Sequence, residues 1–235
     1  MKIAIMQPYF MPYLGYFQLI KEVDLFVLFD DVNYIKKGWI NRNRIKINGE
    51  ESMFTIPLVK ASQNKRINEI LISDAQNSKN QLYKKIHNAY RKSDKYDEVN
   101  EIIKKAVMYN EESLDKYIKN ALEEVCKYLD IKTKFIISSE IEKNNELKGQ
   151  EKIIEICKLL KADEYINAIG GVQLYDYKKF NENDIKLKFI KADENIPTLS
   201  IIDVLYNEKK ETIKEYIDMY SLIKGEELED VNKNI

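Results

Sequence analysis

Short apolar segments alternate with helical patterns in this chain, and this alternation limits the possible fold more than any other feature of the sequence. The chain opens with the apolar run KIAIM, continues with YLGYFQLIKEV, whose apolar residues recur at helical spacing, and then reaches DLFVLFDD. A continuous apolar run such as DLFVLF is typical of a strand that is covered on both faces, as in a parallel sheet. These segments therefore predict a strand, a helix and a second, parallel strand.

The middle of the chain has a different pattern. The segment RIKINGEESMFTIPL alternates on both sides of Asn48-Gly49, which predicts a β-hairpin, and INEILI is a further candidate strand. Residues 79–129 carry three helical patterns with no strand between them. We therefore predict a helical insertion over residues 79–129.

Strand and helix patterns alternate again after the insertion. KFIISS, EYINAI and IKLKFI are predicted strands, residues 149–161 are a predicted helix, and the chain continues with a further helical stretch. Alternating units of this kind predict a Rossmann-like α/β fold, with a mostly parallel sheet and helices on both faces. We expect residues 1–78 and 130–220 to form its core and residues 225–235 to be a flexible tail.

The composition excludes several classes of function. The 38 basic and 39 acidic residues nearly cancel, so net charge provides no attraction to nucleic acid or to a membrane surface. The chain has no apolar stretch of the roughly 20 residues that span a bilayer and no signal peptide, so we expect a cytoplasmic protein. One histidine and two separated cysteines, Cys126 and Cys157, make a metal site or a histidine-based triad a poor hypothesis. We expect no cofactor, and the sequence does not indicate an oligomeric state.

The loop after the first strand, QPYFMPYLGY, is the first candidate site. A helix that begins near Pro12 or Tyr13 would point its free N–H groups at the edge of the sheet, where they favour an anion. Gly15 could let the backbone approach a ligand closely. The alternative is that the prolines end the strand and the aromatic residues pack in the core. The candidate binding residues of this loop are Gln7, Tyr9, Tyr13, Gly15 and Tyr16.

Two other strand ends carry candidate residues. Asp30 and Asp31 follow the second strand, and adjacent residues of an extended chain point in opposite directions, so only one of them would line a site. A carboxylate there could act as a general base, bind a sugar hydroxyl or hold Mg²⁺, or could simply bond its own backbone in a turn. Gly170 and Gly171 follow a later strand, where they form either an ordinary turn or a close backbone approach to a ligand.

The segment NYIKKGWINRNRIK combines aromatic and basic residues. In an extended strand Asn41 and Asn43 share one face while Arg42 and Arg44 share the other, which places the two guanidinium groups about 6–7 Å apart. Such a pair could bind a diphosphate or a carboxylate, and Trp39 could stack on a base or a sugar ring. The alternative is a solvated basic hairpin. We treat all five residues as candidate ligand contacts.

Several segments together resemble a known family. Four blocks of the sequence occur in the order found in the WbqC-like family, and the resemblance spans nearly the whole chain. The blocks are IMQPYFMPYLGYFQLI, DLFVLFDDVNYIKKGWINRNRIK, YINAIGG with LYD, and LSIIDVLYN. It implies a role in the synthesis of bacterial O-antigen and other surface polysaccharides, by enzymes that act on activated sugars. A weaker similarity is to nucleotidyltransferases of the HIGH-motif type, with YLGY at the position of the motif. Tyrosine replaces both histidines there, which disfavours adenylyl transfer.

From the residues and the resemblance together we expect a transferase of surface-glycan precursor synthesis. It would bind a nucleotide-linked sugar or a similar anionic small-molecule donor. N-acyl or aminoacyl transfer to an amino sugar fits such a site, and glycosyl or nucleotidyl transfer remains open. Arg42 and Arg44 would neutralise phosphate, and Asp30 or Asp31 would be the catalytic carboxylate. The alternatives are a non-catalytic protein that binds nucleotide sugars or organises the pathway, and a nucleotidyltransferase. Nucleic acid and membrane are not expected partners.

Overall fold

The computed structural model describes the backbone of residues 1–232 and the side chains of residues 1–228. The strands are β1 (Lys2–Met6), β2 (Leu25–Leu28), β3 (Arg42–Ile47), β4 (Glu50–Thr55), β5 (Lys134–Ile137), β6 (Glu164–Ala168), β7 (Lys186–Ala192) and β8 (Tyr220–Lys224). The α-helices are α1 (Leu14–Glu22), α2 (Ala75–Tyr90), α3 (Tyr96–Val107), α4 (Leu114–Tyr128), α5 (Gly149–Leu159), α6 (Tyr177–Asn181), α7 (Ile201–Asn207), α8 (Lys210–Asp218) and α9 (Gly225–Asn232).

Six strands form one mostly parallel sheet in the order β5-β2-β1-β6-β7-β8. Neighbouring strands are parallel except for β7 and β8, which are antiparallel. The chain builds outward from β1 to β5, then returns to place β6 on the other side of β1. The strand order therefore reverses between β1 and β6, and a crevice at the carboxyl ends of the strands is expected at this point.

Helices cover both faces of the sheet, as the sequence predicted. Consecutive residues of β2 pack into different apolar clusters: Phe26 lies with Phe17 of α1, and Val27 lies with Ile156 of α5. This two-sided burial explains why DLFVLF is apolar without alternation. The predicted mostly parallel α/β fold is confirmed.

The helical stretch between β4 and β5 consists of α2, α3 and α4, where the sequence predicted a helical insertion. Ile86, Ile103 and Leu122 of these helices are buried in the same apolar cluster as Phe17 of α1. The three helices therefore extend the core on one side of the sheet. No helix in the described part of the chain is both long and apolar enough to cross a membrane.

The predicted hairpin is present and forms a sheet of its own. β3 and β4 pair only with each other, joined by Asn48 at φ 53° and Gly49 at φ 84°. Both residues have the left-handed backbone that a tight hairpin turn requires. The amide of Asn43 donates to the backbone oxygen of Met11 (2.8 Å), and this hydrogen bond attaches the hairpin to the loop between β1 and α1.

One local prediction was wrong. INEILI contains a single 3-10 turn, Ile67–Glu69, instead of a strand, because Ile67 and Ile70 are both fully buried and lie one turn apart. Residues 225–232 of the predicted flexible tail form α9, where Leu228 packs against the cluster that contains Leu187. Residues 233–235 of that tail lie outside the described residues.

Candidate functional site

A cavity of about 660 Å³ opens where the strand order reverses, between the carboxyl ends of β1 and β6. Its volume lies within the range of about 300–1,000 Å³ that is usual for small-molecule sites. The ends of β1, β6 and β7 and the starts of α1 and α5 form its walls. We call it the inner cavity, and it is lined by the predicted binding residues Gln7, Tyr9, Tyr13, Gly15, Trp39, Gly170 and Gly171.

Two helices begin at the inner cavity from opposite faces of the sheet. Gly15 near the start of α1 and Gly149 at the start of α5 both line it, and neither helix has a side chain that caps its first N–H groups. The free N–H groups and the positive end of each helix dipole favour a negatively charged ligand. The anion position predicted for the first loop is thus part of this cavity.

Gly15 makes room for an aromatic ring rather than for a ligand. A Cβ atom at this position would lie 2.4 Å from Cε2 of Tyr13. The missing side chain lets the Tyr13 ring lie over the first turn of α1, where it lines the cavity. The close backbone approach that the sequence suggested is therefore made by Tyr13.

The remaining tyrosines of the first loop have different roles. Tyr16 is buried, and its hydroxyl donates to the backbone oxygen of Gln7 at 2.7 Å, so it supports the wall from behind instead of contacting a ligand as predicted. The Tyr9 ring packs on Tyr16 with centroids 5.5 Å apart and lines the cavity. Burial raises the pKa of the Tyr9 and Tyr13 phenols, which are therefore neutral hydrogen-bond donors near pH 7.

Asp30 is not available for catalysis. Its carboxylate is fully buried and accepts hydrogen bonds from the backbone N–H of Ser139 (2.9 Å) and from the Ser139 hydroxyl. Burial raises the pKa of Asp30 despite these two hydrogen bonds. The residue joins the end of β2 to the turn after β5, and the predicted catalytic role is incorrect for it.

Asp31 is equally inaccessible. Its Oδ2 atom lies 2.8 Å from Nζ of Lys152 and 2.9 Å from Nζ of Lys143, and the three side chains are at most 6% exposed. Burial acts to raise the pKa of Asp31, but the hydrogen bonds from Lys152 and Lys143 outweigh it, so the pKa is lowered. A buried carboxylate held by two ammonium groups cannot reach a substrate, so Asp31 is not the predicted catalytic base either.

This lysine cluster, defined by Asp31, Lys143 and Lys152, stands directly behind the cavity wall. Nζ of Lys152 lies 5.3 Å from the ring centroid of Phe29, and Phe29 lines the inner cavity. Two positive charges and one negative charge leave a net positive charge there. Sequence reasoning missed both lysines, although Lys152 precedes Ile156 by one turn on the buried face of α5.

Trp39 and the two predicted arginines form a stacked group at the mouth of the cavity. The guanidinium carbons of Arg42 and Arg44 lie 5.8 Å and 5.6 Å from the Trp39 ring centroid. Nε of Arg42 donates to the backbone oxygen of Gly38 (2.9 Å), and Arg44 pairs with Glu51 (2.7 Å). The two arginines therefore share a face, as predicted, and each already has a partner within the protein.

Asn41 and Asn43 occupy the opposite, buried face of the hairpin. The Asn41 amide donates to the backbone oxygen of Ile56 (2.7 Å) and accepts from the hydroxyl of Tyr34 (2.9 Å). Asn43 attaches the hairpin to the first loop through Met11, as described above. The hydrogen bonds of Asn41 give it a structural role, whereas Asn43 also lines a small cavity beside the first loop, so its contact with a ligand stays a prediction.

Four polar residues of the inner cavity were not predicted, namely Gln18, Gln150, Asn167 and Tyr175. Nδ2 of Asn167 donates to the hydroxyls of Tyr165 (2.6 Å) and Tyr175 (2.7 Å) at the end of β6. Gln18 is fully buried on α1, and its Nε2 donates to two backbone oxygens of the α8 end. Its Oε1 has no hydrogen-bond partner in the described part of the chain. The sequence does contain a signal for Gln18, because it is a polar residue one turn after Leu14 on an otherwise apolar helix face.

The lining of the inner cavity is uncharged. Among its described residues none is a carboxylate, an imidazole, a lysine or an arginine, and the ionisable groups are the tyrosines Tyr9, Tyr13 and Tyr175. Among the side chains of residues 1–228 no group of three His, Cys, Asp or Glu residues is arranged to bind a metal ion. The cavity therefore offers aromatic surface, amides, phenols and backbone N–H groups to a ligand.

Comparison with known proteins places this site within a family. No solved structure gives a significant match to the chain. The uncharacterized protein Rv1507c of Mycobacterium tuberculosis strain H37Rv is 29% identical over 220 residues, which cover 88% of this chain and 93% of that protein. The model of the WbqC-like protein family matches residues 7–215, which include β2 to β7 and every lining residue from Gln7 onward. The chain belongs to the WbqC-like protein family.

Proposed function

We propose that this protein is a transferase of bacterial surface-glycan precursor synthesis that binds a nucleotide-linked sugar or a similar activated, anionic donor in the inner cavity. The observation that carries the proposal is the meeting of two uncapped helix starts, at Gly15 and Gly149, in one cavity at the reversal of strand order. In α/β sheets of this kind the crevice at the reversal is the usual place for a ligand. Family membership supports the pathway.

Three sources of positive potential support an anionic ligand in this cavity. The helix starts provide N–H donors, the lysine cluster adds a net positive charge behind Phe29, and Arg42 and Arg44 stand at the mouth around Trp39. In an environment of low dielectric constant these contributions are screened less than on the surface. A diphosphate that reaches from the helix starts toward Trp39 would use all three.

The uncharged lining favours an amine as the acceptor. A hydroxyl acceptor needs a base to become a good nucleophile, whereas an unprotonated amine is already nucleophilic. In acyl or aminoacyl transfer the donor is not the nucleotide-linked sugar itself but an acyl or aminoacyl group joined to an anionic activating group. The amine nitrogen of an amino sugar forms the new bond to the carbonyl carbon of that donor. The bond to the activating group then breaks, the leaving group departs with its electron pair, and the amine proton goes to that group or to water. No carboxylate is required at the reacting atoms.

Ligand-induced thermal stabilisation with a panel of nucleotide sugars tests the proposal. A ligand present at 100 times its Kd adds about 2.7 kcal/mol to the free energy of unfolding. Gly170→Phe should abolish the shift because a large side chain at this position fills the cavity. Gly170→Ala is the matched control, because a Cβ there meets no atom within 4 Å and should leave binding intact. A panel without any stabilising ligand, or equal shifts in both variants, contradicts the assigned site.

A non-catalytic binding protein of the same pathway is the second candidate, and the absence of a general base among the described lining residues favours it. Incubating the purified protein with a ligand from the panel, candidate acyl or aminoacyl donors and amino-sugar acceptors, and measuring product mass, separates the two. New product that is lost in Gly170→Phe supports the transferase. Saturable binding with no product under every donor supports the binding protein.

A further inference from the structure

A second cavity of about 240 Å³ adjoins the inner cavity on the side of the hairpin. Tyr9, Tyr13 and Trp39 line both cavities and form the boundary between them. The residues that line this second cavity and not the inner one are Pro12, Asn43, Arg44 and Thr198. We call it the outer cavity. Two ligands that occupied the two cavities would meet at the shared aromatic residues, with no further protein layer between them.

The outer cavity suits one ring rather than a whole nucleotide. Its volume is below the range of about 300–1,000 Å³ that is typical for larger ligands. Its walls include three aromatic rings, which offer apolar faces together with the hydroxyls of Tyr9 and Tyr13. Sugar rings combine C–H faces with peripheral hydroxyl groups, so a wall of this composition is complementary to them.

One polar group of the outer cavity lacks an acceptor. Nε of Arg44 is buried and has no hydrogen-bond partner among the described residues, while Nη1 of the same side chain pairs with Glu51 at 2.7 Å. A buried donor without an acceptor costs free energy, and a ligand oxygen would recover it if the partly exposed Arg44 side chain turned Nε toward the cavity. Because the guanidinium is charged and Arg42 lies over the same Trp39 ring, a negatively charged oxygen is favoured over a neutral one.

We propose that the outer cavity is the acceptor subsite and binds a single sugar ring that carries an oxyanion, with the ring against Trp39 and the oxyanion on Arg44. This inference rests on the proposed function, because it assigns the activated donor to the inner cavity and the acceptor to the outer one. The shared boundary of Tyr9, Tyr13 and Trp39 then places the acceptor beside the donor. It accounts for the hairpin being attached to the first loop through Asn43 and Met11.

Trp39 is the only tryptophan of the chain and lines both cavities, so its fluorescence reports on occupancy of either one, and a variant at Thr198, which lines the outer cavity only, assigns the change. We expect a saturable fluorescence change with glucosamine 1-phosphate as the probe, and at least about tenfold weaker binding of glucosamine, which lacks the oxyanion. Arg44→Met should weaken binding of the phosphate probe by about tenfold or more. Lys46→Met is the matched control: it removes an equal charge from an exposed position of the same strand but lines neither cavity, so it should have less than about a threefold effect.

Two further variants keep the test decisive. Glu51→Gln releases Arg44 from its ion pair and should leave binding of the phosphate probe unchanged or tighter. Thr198→Phe fills the outer cavity from an exposed position and should abolish binding of the probe. Equal losses in Lys46→Met and Arg44→Met, no loss in Thr198→Phe, or no response of the wild-type protein overturn the subsite. If nucleotide sugars stabilise the protein but the phosphate probe does not bind, the subsite is overturned and the proposed function stands. Probe binding without nucleotide-sugar binding would overturn the proposed function alone.

Discussion

The end of β2 and the ends of β1 and β6 lie at the same edge of the sheet, yet they have opposite chemistry. At β2 the ionisable residues Asp30 and Asp31 are buried and bonded within the protein. At β1 and β6 the crevice is open and its described lining holds no charged side chain. The difference shows that a carboxylate at a strand end is not by itself a sign of catalysis. Its accessibility is decided by whether partners from distant segments cover it.

Replacing Asp31 should have the largest effect, and on stability rather than on ligand binding. Asp31→Asn leaves Lys143 and Lys152 buried without a counter-charge, and breaking a buried ion pair in this way costs about 3–5 kcal/mol. Denaturant unfolding measures the loss. Asp218→Asn is the control, because it removes a partner of Lys21 at the surface and should change the free energy of unfolding very little. Equal stability of Asp31→Asn and wild type would show that the lysine cluster does not stabilise the fold.

Acidification should separate the two aspartates. The pKa of Asp31 is lowered, so its contribution to stability is present above the pKa of an unfolded aspartate, about 4, and is lost as the pH falls through the folded value. The pKa of Asp30 is raised, so its contribution has the opposite sign and its protonation favours the folded state.

Unfolding free energies measured between about pH 6 and pH 3 for both asparagine variants test this difference in sign. Asp31→Asn should lose less stability than wild type on acidification, and Asp30→Asn should lose more. Parallel pH dependences of Asp31→Asn and wild type would mean that the two lysines do not hold the Asp31 carboxylate in its charged form.

A change at Gly15 should affect the open region without affecting the fold. In Gly15→Ala the new Cβ displaces the Tyr13 ring, so we expect about tenfold weaker binding of a stabilising nucleotide sugar, equivalent to about 1.4 kcal/mol. Stability should be unchanged or slightly higher, because alanine favours a helix more than glycine does. Calorimetric titration measures the affinity, and Gly170→Ala serves as the comparison. Unchanged affinity would indicate that the Tyr13 ring does not contact the ligand.

Removing a single hydroxyl from Tyr9 or Tyr16 should have the smallest effects. The Tyr9 change should weaken ligand binding, and the Tyr16 change should lower stability. Tyr9→Phe removes a donor that faces the cavity, and we expect roughly threefold to tenfold weaker binding with normal stability. Tyr16→Phe removes the hydrogen bond to the Gln7 backbone oxygen and should cost about 1 kcal/mol of stability with little change in affinity. The reverse pattern would exchange the roles assigned to these residues.

Much of the fold could be predicted because its signals are local. The alternation around Asn48-Gly49 and the continuous apolar run of β2 each require only neighbouring residues. β8 gave a weak signal because it is a short edge strand with exposed Leu222. INEILI was misassigned because its buried isoleucines face the core from a turn, a spacing that six residues cannot distinguish from a strand.

The site was only partly predictable because its accessibility depends on distant partners. Gln7, Tyr9 and Trp39 line the cavity since they lie near strand ends, which the topology brings together. Asp31 is buried because it pairs with Lys143 and Lys152, which lie more than a hundred positions later in the chain. No spacing in the sequence connects the aspartate with these lysines. Gln18 was hidden for a similar reason, because its partners are backbone oxygens near the far end of the chain.

The position of β1 in the sheet has a consequence for the order in which the molecule is completed on the ribosome. β1 is translated first, but its pairing with β6 joins Lys2 to Glu164, and the cavity wall also needs Ala192 at the end of β7. A nascent chain that has emerged only through α4 therefore has the aromatic half of the pocket and lacks the opposite wall. Binding competence would arise late in translation, when the last parallel strand leaves the exit tunnel.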